Sequence, residues 1–230
     1  MNIVIIPARS GSKRIKNKNI KNFLGFPIIK YPLKTIIKSK IIDMITVSTN
    51  SKKIGKISKK YGADLILSRN KKLSNDYSTT HQVVKDAIIK LEKLNYKIDN
   101  VFCIYPCNPF LNINDLKKAI SILKKNNKIK YIFPGVRYSH PIERAFSLQK
   151  NFAKFLKKKK TSMRTQDCKP YYHDAGQFYL GSRDSWMKNE DIHNSSYVIE
   201  IPSFRALDID SIDDWKKAEI LYKSNKNQLI

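Results

Sequence analysis

Asn2-Ile3-Val4-Ile5-Ile6-Pro7, running straight into Ala8-Arg9-Ser10-Gly11-Ser12-Lys13-Arg14, is the stretch on which the fold turns. Four consecutive β-branched residues closed by a proline read as a strand buried on both faces, as in a sheet covered by helices on each side. Working outward, the rhythm repeats. Ile28–Ser39 has apolar residues at helical spacing, Met44–Ser48 is a second β-branched strand, and Asn50 is placed to cap a helix over Ser51–Tyr61 that stops at Gly62. Ala63–Leu67 reads as a strand, Thr79–Leu94 as an amphipathic helix, Val101–Tyr105 as a strand, Asp115–Lys125 as a helix and Tyr131–Val136 as a strand. This βαβα succession predicts an α/β fold: a Rossmann-like, mostly parallel sheet with helices on both faces.

From Arg137 to Tyr172 the rhythm breaks. The segment holds Pro141, Pro170 and a four-lysine run, Lys157–Lys160, with no period, and reads as a late insertion. Pattern returns with Gln177–Gly181, Val198–Pro202 and a final helix, where Ser211 and Asp214 are spaced as a capping box and Trp215, Ala218 and Leu221 share a face. Residues 1–230 are read as a single domain carrying an excursion over 137–172.

The chain carries 45 Lys+Arg against 19 Asp+Glu, a formal net charge of +26. That excess first suggests nucleic acid or an anionic membrane. Yet 37 of the cations are lysines spread along nearly every segment, whereas a nucleic-acid-binding protein gathers its cations on one face with exposed aromatics. Most of the charge therefore reads as solvated surface, with neither nucleic acid nor membrane as partner. The eight arginines are the informative cations, because lysine cannot replace a planar bidentate fork. No apolar run approaches the roughly 20 residues of a bilayer span, and the first residues lack the basic start and cleavage site of a secretory signal. Cys103, Cys107 and Cys168 form neither an even disulfide framework nor a zinc pattern. A cytoplasmic location is expected.

Ligands of open α/β sheets bind outside the carboxyl ends of the strands, which directs attention to the loop after the first. It is neither the dinucleotide fingerprint G-x-G-x-x-G nor the P-loop G-x-x-x-x-G-K-[ST]. It does place Arg9, Lys13, Arg14 and Lys18 within ten residues around Gly11, with Ser12 and backbone N–H groups as further donors. Such a loop suits a polyphosphate; charge alone does not separate that from an ordinary basic loop. Near the other end, Asp208 and Asp210 are two apart in an extended segment, so both carboxylates face one side and Ile209 the other. They can hold Mg²⁺, or Asp210 simply favours the N-terminus of the following helix.

Ile6-Pro7-Ala8-Arg9-Ser10-Gly11-Ser12-Lys13-Arg14, continuing to Lys18-Asn19-Ile20, resembles the N-terminal signature of the CMP-sialic acid synthetases and related sugar-acid cytidylyltransferases. Further landmarks recur in order: Val47-Ser48-Thr49, Leu67-Ser68-Arg69, Leu73-Ser74-Asn75-Asp76, Tyr105-Pro106-Cys107-Asn108-Pro109 and Asp208-Ile209-Asp210. The match covers essentially the whole chain. Within the family, Pro141-Ile142-Glu143-Arg144-Ala145, Arg164-Thr165-Gln166-Asp167 and Tyr172-His173-Asp174-Ala175-Gly176-Gln177-Phe178-Tyr179 look most like the pseudaminic acid branch.

The resemblance implies a fold of nucleotide-diphospho-sugar transferase type and an enzyme joining CTP to a nine-carbon α-keto sugar acid, with release of pyrophosphate and with Mg²⁺ as cofactor. Pseudaminic acid is the expected acid, N-acetylneuraminic or legionaminic acid the alternative, and the product would serve glycosylation of flagellin or another bacterial surface structure. By the same resemblance Arg9, Ser12, Lys13, Arg14, Lys18 and Asn19 hold CTP, Arg69 lies near its base and ribose, and Asn108 joins them. Arg9, Lys13, Lys18 and Asp210 are then catalytic, Asp208 and Asp210 hold the metal, and the excursion packs on the partner of a homodimer.

For the sugar, Arg144 and Arg164 could each pair bidentately with its carboxylate or serve a surface or subunit ion pair. Tyr105, Gln177 and Tyr179 are grouped with the sugar site, Tyr179 being alternatively core. His173 beside Asp174 invites a general base, but neighbours on an extended chain face opposite ways, so each is either a substrate contact or structural. The sequence departs from the family at Ser10 (usually Gly) and Lys16 (usually Pro), and at Tyr105, Cys107 and Asn108, where sialic acid enzymes carry Gln, Thr and Ser. Cys107 is read as a small packed residue rather than a nucleophile, since direct displacement needs no covalent intermediate.

Overall fold

The computed structural model describes residues 1–156, 163–188 and 191–225; the Lys157–Lys160 run lies outside them. The chain runs β1 (Asn2–Pro7), a small hairpin of β2 (Asn22–Phe23) and β3 (Phe26–Pro27), α1 (Lys30–Ser39), β4 (Met44–Thr49), α2 (Lys52–Lys60), β5 (Leu65–Ser68), α3 (Thr80–Lys93), β6 (Asn100–Ile104), α4 (Ile113–Lys125) and β7 (Tyr131–Arg137). It leaves the sheet for a hairpin of β8 (Phe146–Gln149) and β9 (Phe152–Phe155), then returns as β10 (Tyr172–Asp174), β11 (Phe178–Ser182), α5 (Arg183–Met187), β12 (Ser196–Glu200) and α6 (Ile212–Ser224).

The main sheet follows the order β10-β7-β11-β6-β1-β4-β5, with β12 added on β7. β1 pairs in parallel with β4 and β6, β4 with β5, and β12 with β7. The late strands β10 and β11 run antiparallel to their neighbours. Alternate residues of β1 divide between the two faces, as the pleat requires. Val4 and Ile6 join the core under α1, α2 and α4 with Leu33, Ile54 and Leu116; Ile3 and Ile5 join the core under α3 and α5 with Val84, Ile88 and Trp186. A third cluster, Phe23, Phe110, Ile209 and Trp215 among others, seats α6 over the loop that follows β1.

Local chemistry sets the boundaries. Thr79 and Gln82 close a capping box on α3, and Ser211 and Asp214 close the expected one on α6. Asn112 caps α4, which begins two residues before the expected Asp115. Asn50 does not cap α2: Ser51 Oγ accepts from Ile54 N, while Asn50 Oδ1 takes the N–H of Ser10 at 3.0 Å. A second difference is β10, for which the sequence offered no strand, its excursion ending at Tyr172 and its pattern resuming at Gln177; it pairs along Gly135–Arg137 and brings the chain back to the sheet. Among the described residues no helix is long and apolar enough to cross a membrane.

Candidate active site

A cavity of about 890 Å³ opens where β1 and β6 end, walled by the loop after β1, the Tyr105–Asn108 turn, the Asp174–Gln177 bend and the Leu207–Asp210 segment. The first loop is held on the sheet edge by Ala8 N donating to Ser48 O (2.9 Å) and by the Ser10–Asn50 bond. Asn19 closes it on itself: its Nδ2 donates to Arg9 O at 2.8 Å, and its Oδ1 accepts from Cys107 Sγ at 3.2 Å. The loop thus projects Arg9, Ser12, Lys13, Arg14 and Lys18 onto the wall.

These cations are held by two carboxylates. Arg9 Nη1 and Lys13 Nζ each approach a different oxygen of Asp76 at 2.6 Å; Arg14 and Lys18 approach the two oxygens of Asp210 at 2.9 and 3.2 Å. Hydrogen bonds from Lys13 and Arg9 hold the Asp76 carboxyl below the usual carboxylate range. Asp208 is pushed the other way, by desolvation first and by Asp210 second. Ile209 between them is buried in the third core cluster, so the pair faces the cavity as the spacing predicts. Two carboxylates with room for phosphate and water suit Mg²⁺; no group of three metal-ligating side chains occurs among the described residues.

The opposite end is built by the bend between β10 and β11. Gly176 takes φ +62°, a left-handed turn that a side chain rarely adopts, and donates its N–H to Asp174 Oδ1 at 2.7 Å. Asp174 Oδ2 accepts from Tyr179 Oη at 2.6 Å. Tyr105 Oη lies 2.7 Å from Thr80 Oγ1 and its ring meets Tyr179 edge-on. Burial raises the Tyr105 hydroxyl to about 12 and lifts Tyr179 well above its ordinary value. Gln177 is 2% exposed, its Nε2 tied to Arg205 O at 2.5 Å, and Asn108 Nδ2 reaches Gln177 O at 3.4 Å. Burial also raises the Cys107 thiol to about 12, in keeping with a packed residue.

Several expected residues stand elsewhere. Arg69 does not line this cavity: it is 6% exposed, with Nε on Ser48 Oγ and Nη2 on Ser48 O, and desolvation lowers it to about 10. Its contacts brace the anchor of the first loop. Arg144 and Arg164 do not line it either; both sit on the excursion, and Arg144 Nη2 donates to Met163 O at 2.7 Å. His173 separates from Asp174 as strand alternation demands. Its exposed ring packs on Tyr138, with centroids 4.8 Å apart. Sequence reasoning passed over Asp76, present only as a landmark in Leu73-Ser74-Asn75-Asp76, and over Ser48.

A mixed α/β sheet with a basic loop after its first strand and a carboxylate pair facing that loop defines a nucleotidyltransferase. The same architecture occurs in CMP:2-keto-3-deoxy-manno-octonic acid synthetase, solved with CTP, at a TM-score of 0.72 and 13% identity over 97% of this chain and 99% of that one. Residues 3–227 match the cytidylyltransferase family, and the chain belongs to it. It is 40% identical over 97% of both chains to pseudaminic acid cytidylyltransferase of Campylobacter jejuni, and 25% identical over 99% of both to CMP-N,N'-diacetyllegionaminic acid synthase of Legionella pneumophila.

Proposed function

We propose that this chain transfers the cytidylyl group of CTP to pseudaminic acid, giving CMP-pseudaminic acid and pyrophosphate. The observation that carries the chemistry is the single cavity shared by Arg9, Lys13, Arg14 and Lys18, the Asp208–Asp210 pair, and the Asp174–Tyr179 end. The choice of acid rests on the 40% identity, spread over nearly all of both chains, against 25% for the legionaminic acid enzyme. In the reaction the sugar's anomeric oxygen forms a bond to the α-phosphorus of CTP, the bond from that phosphorus to the bridging oxygen breaks, pyrophosphate leaves and the hydroxyl proton is lost. Arg9, Lys13 and Lys18 neutralise and position the departing phosphates, so placement and electrostatics supply most of the acceleration. Asp208 and Asp210 would hold Mg²⁺, which contributes charge neutralisation on the phosphates and acidifies a hydroxyl near it. Asp174 and Tyr105 face the sugar.

The excursion is proposed to complete a homodimer. Its hairpin exposes Leu148 at 70% and Phe152 at 79%, an apolar surface of the kind that marks an interface, and Arg144 and Arg164 belong to the same segment. Work in the cytoplasm accords with three free cysteines. The test incubates the protein with CTP, Mg²⁺ and pseudaminic, legionaminic or N-acetylneuraminic acid while pyrophosphate is followed. Turnover with pseudaminic acid is expected; turnover of another acid alone overturns the substrate, and none at all overturns the activity.

A further inference from the structure

We propose that Asp76 is an internal counter-anion of the polyphosphate site: its carboxylate holds Arg9 and Lys13 in the empty enzyme, yields them to the phosphates of the nucleotide, and takes them back as pyrophosphate leaves. The residue lies between β5 and α3 on a turn tied by its neighbour. Asn75 Oδ1 accepts from Tyr77 N (2.9 Å), Ser78 N (2.8 Å) and Ser78 Oγ (2.9 Å), and Asn75 Nδ2 donates to Lys72 O (2.9 Å). The turn is thereby satisfied by its own atoms, leaving the Asp76 carboxylate to face the cavity.

The geometry is that of a phosphate stand-in. Two cations from the first loop take two different oxygens of one anion, each at 2.6 Å, an arrangement a phosphate oxygen pair also offers. Without an anion between them, Arg9 and Lys13 would repel each other. Lys13, 82% exposed in its side chain, has a stem free to swing toward a ligand. The contrast with Asp210 sharpens the point. When Asp210 gives up Arg14 and Lys18 it has a metal to receive its charge, on the reading proposed above, on which this inference partly rests. Asp76 stands outside the proposed metal pair, and on this reading it withdraws from the polyphosphate as a like charge. Being tethered, it competes at high effective concentration, which favours departure of the product from a strongly basic loop.

The test measures binding by calorimetry for the intact protein and for Asp76→Asn and Asp76→Glu, with inorganic tripolyphosphate as the probe, then CTP and CMP. Two exposed ion pairs are released, so Asp76→Asn should bind tripolyphosphate and CTP about five- to tenfold more tightly. CMP, lacking the β- and γ-phosphates, should change by less than about twofold, and Asp76→Glu should restore the parent affinities. In turnover the KM for CTP should fall in Asp76→Asn while inhibition by pyrophosphate strengthens. Equal or weaker tripolyphosphate binding by Asp76→Asn, no tripolyphosphate binding by either chain, or an equal tightening for CMP overturns the proposal. If Asp76→Asn tightens tripolyphosphate while neither chain binds CTP, the counter-anion role stands and the cytidylyl reading falls.

Discussion

Asp115 on α4 and Arg205, three residues before Asp208, form a buried ion pair: Nη1 to Oδ2 at 2.5 Å and Nη2 to Oδ1 at 3.5 Å, with the Asp115 side chain 11% and the Arg205 side chain 9% exposed. Arg205 O also receives Gln177 Nε2, so the pair joins helix, carboxylate segment and sugar end of the cavity. Asp115→Ala leaves a guanidinium buried without its counter-charge, which costs about 3–5 kcal/mol when a buried pair loses one partner. Only one of the two contacts is short, so the lower end applies, and about 3 kcal/mol corresponds to a Tm loss of roughly 6–12 °C at this chain length. Thermal unfolding followed by circular dichroism reads the loss. Asp115→Leu combined with Arg205→Met should recover most of it, because a well-packed apolar pair replaces buried charge at little net cost. The cycle should show coupling well above the roughly 0.5 kcal/mol of independent sites. A Tm loss under about 2 °C for Asp115→Ala, or additive single variants, would refute the reasoning.

Asp210→Asn should abolish pyrophosphate release while shifting Tm by little, since its side chain is 36% exposed and its pairs with Arg14 and Lys18 are partly solvated; full turnover in that variant removes Asp210 from the metal site. His81 is 9% exposed with both ring nitrogens unpartnered, and burial, with Lys85 second, lowers it from its ordinary value of 6.5. Above pH 6.5 folded and unfolded chains both hold it neutral; below, the unfolded chain binds a proton that the fold resists, so stability falls until the folded pKa is reached. Unfolding at pH 7.5 and 5.5 should therefore show a smaller loss for His81→Leu than for the parent, by at most about 1.4 kcal/mol per pH unit, and equal losses exclude His81 as the source. Replacing Leu148 and Phe152 with Ser should convert the proposed dimer to monomer in sedimentation without lowering Tm; a parent chain already monomeric at micromolar concentration defeats the dimer.

The core strands were legible because their signal is local and redundant: β1, β4 and β6 are runs that only burial on two faces explains. The cap of α6 was legible for a related reason, a side chain and a backbone N–H three residues apart. Where two adjacent residues could cap, as Asn50 and Ser51 both could, local chemistry is degenerate. A partner 40 residues away, Ser10 N, decided it. β10 is three residues long and mostly exposed, so no hydrophobic pattern announces it; it exists because β7 offers it an edge. Arg69 follows β5 in sequence, and because β5 lies beside β4 its guanidinium meets Ser48, a partner that Leu67-Ser68-Arg69 alone does not announce. Asp76 is the same lesson reversed: a lone acidic residue in a loop says nothing until the fold sets it against Arg9 and Lys13.

That juxtaposition also changes what the net charge of +26 means. A surface rich in lysine raises the local concentration of any polyanion, and does so without regard to its identity, through a field that salt screens within about 8–10 Å. The basic loop is different because its charge is already spoken for. Arg9, Lys13, Arg14 and Lys18 are each matched to a carboxylate oxygen, so a polyanion gains from this site only if it can replace Asp76 and Asp210 together. On the proposed reading, a triphosphate arriving with a divalent cation would do both, the loop's cations turning to the phosphates and Asp210 to the metal. A bare nucleic-acid phosphate brings one charge and no cation for the carboxylates. On that reading selectivity for the nucleotide would rest on the two acids more than on the surplus of bases, and neutralising Asp76 should erode it before it harms the fold.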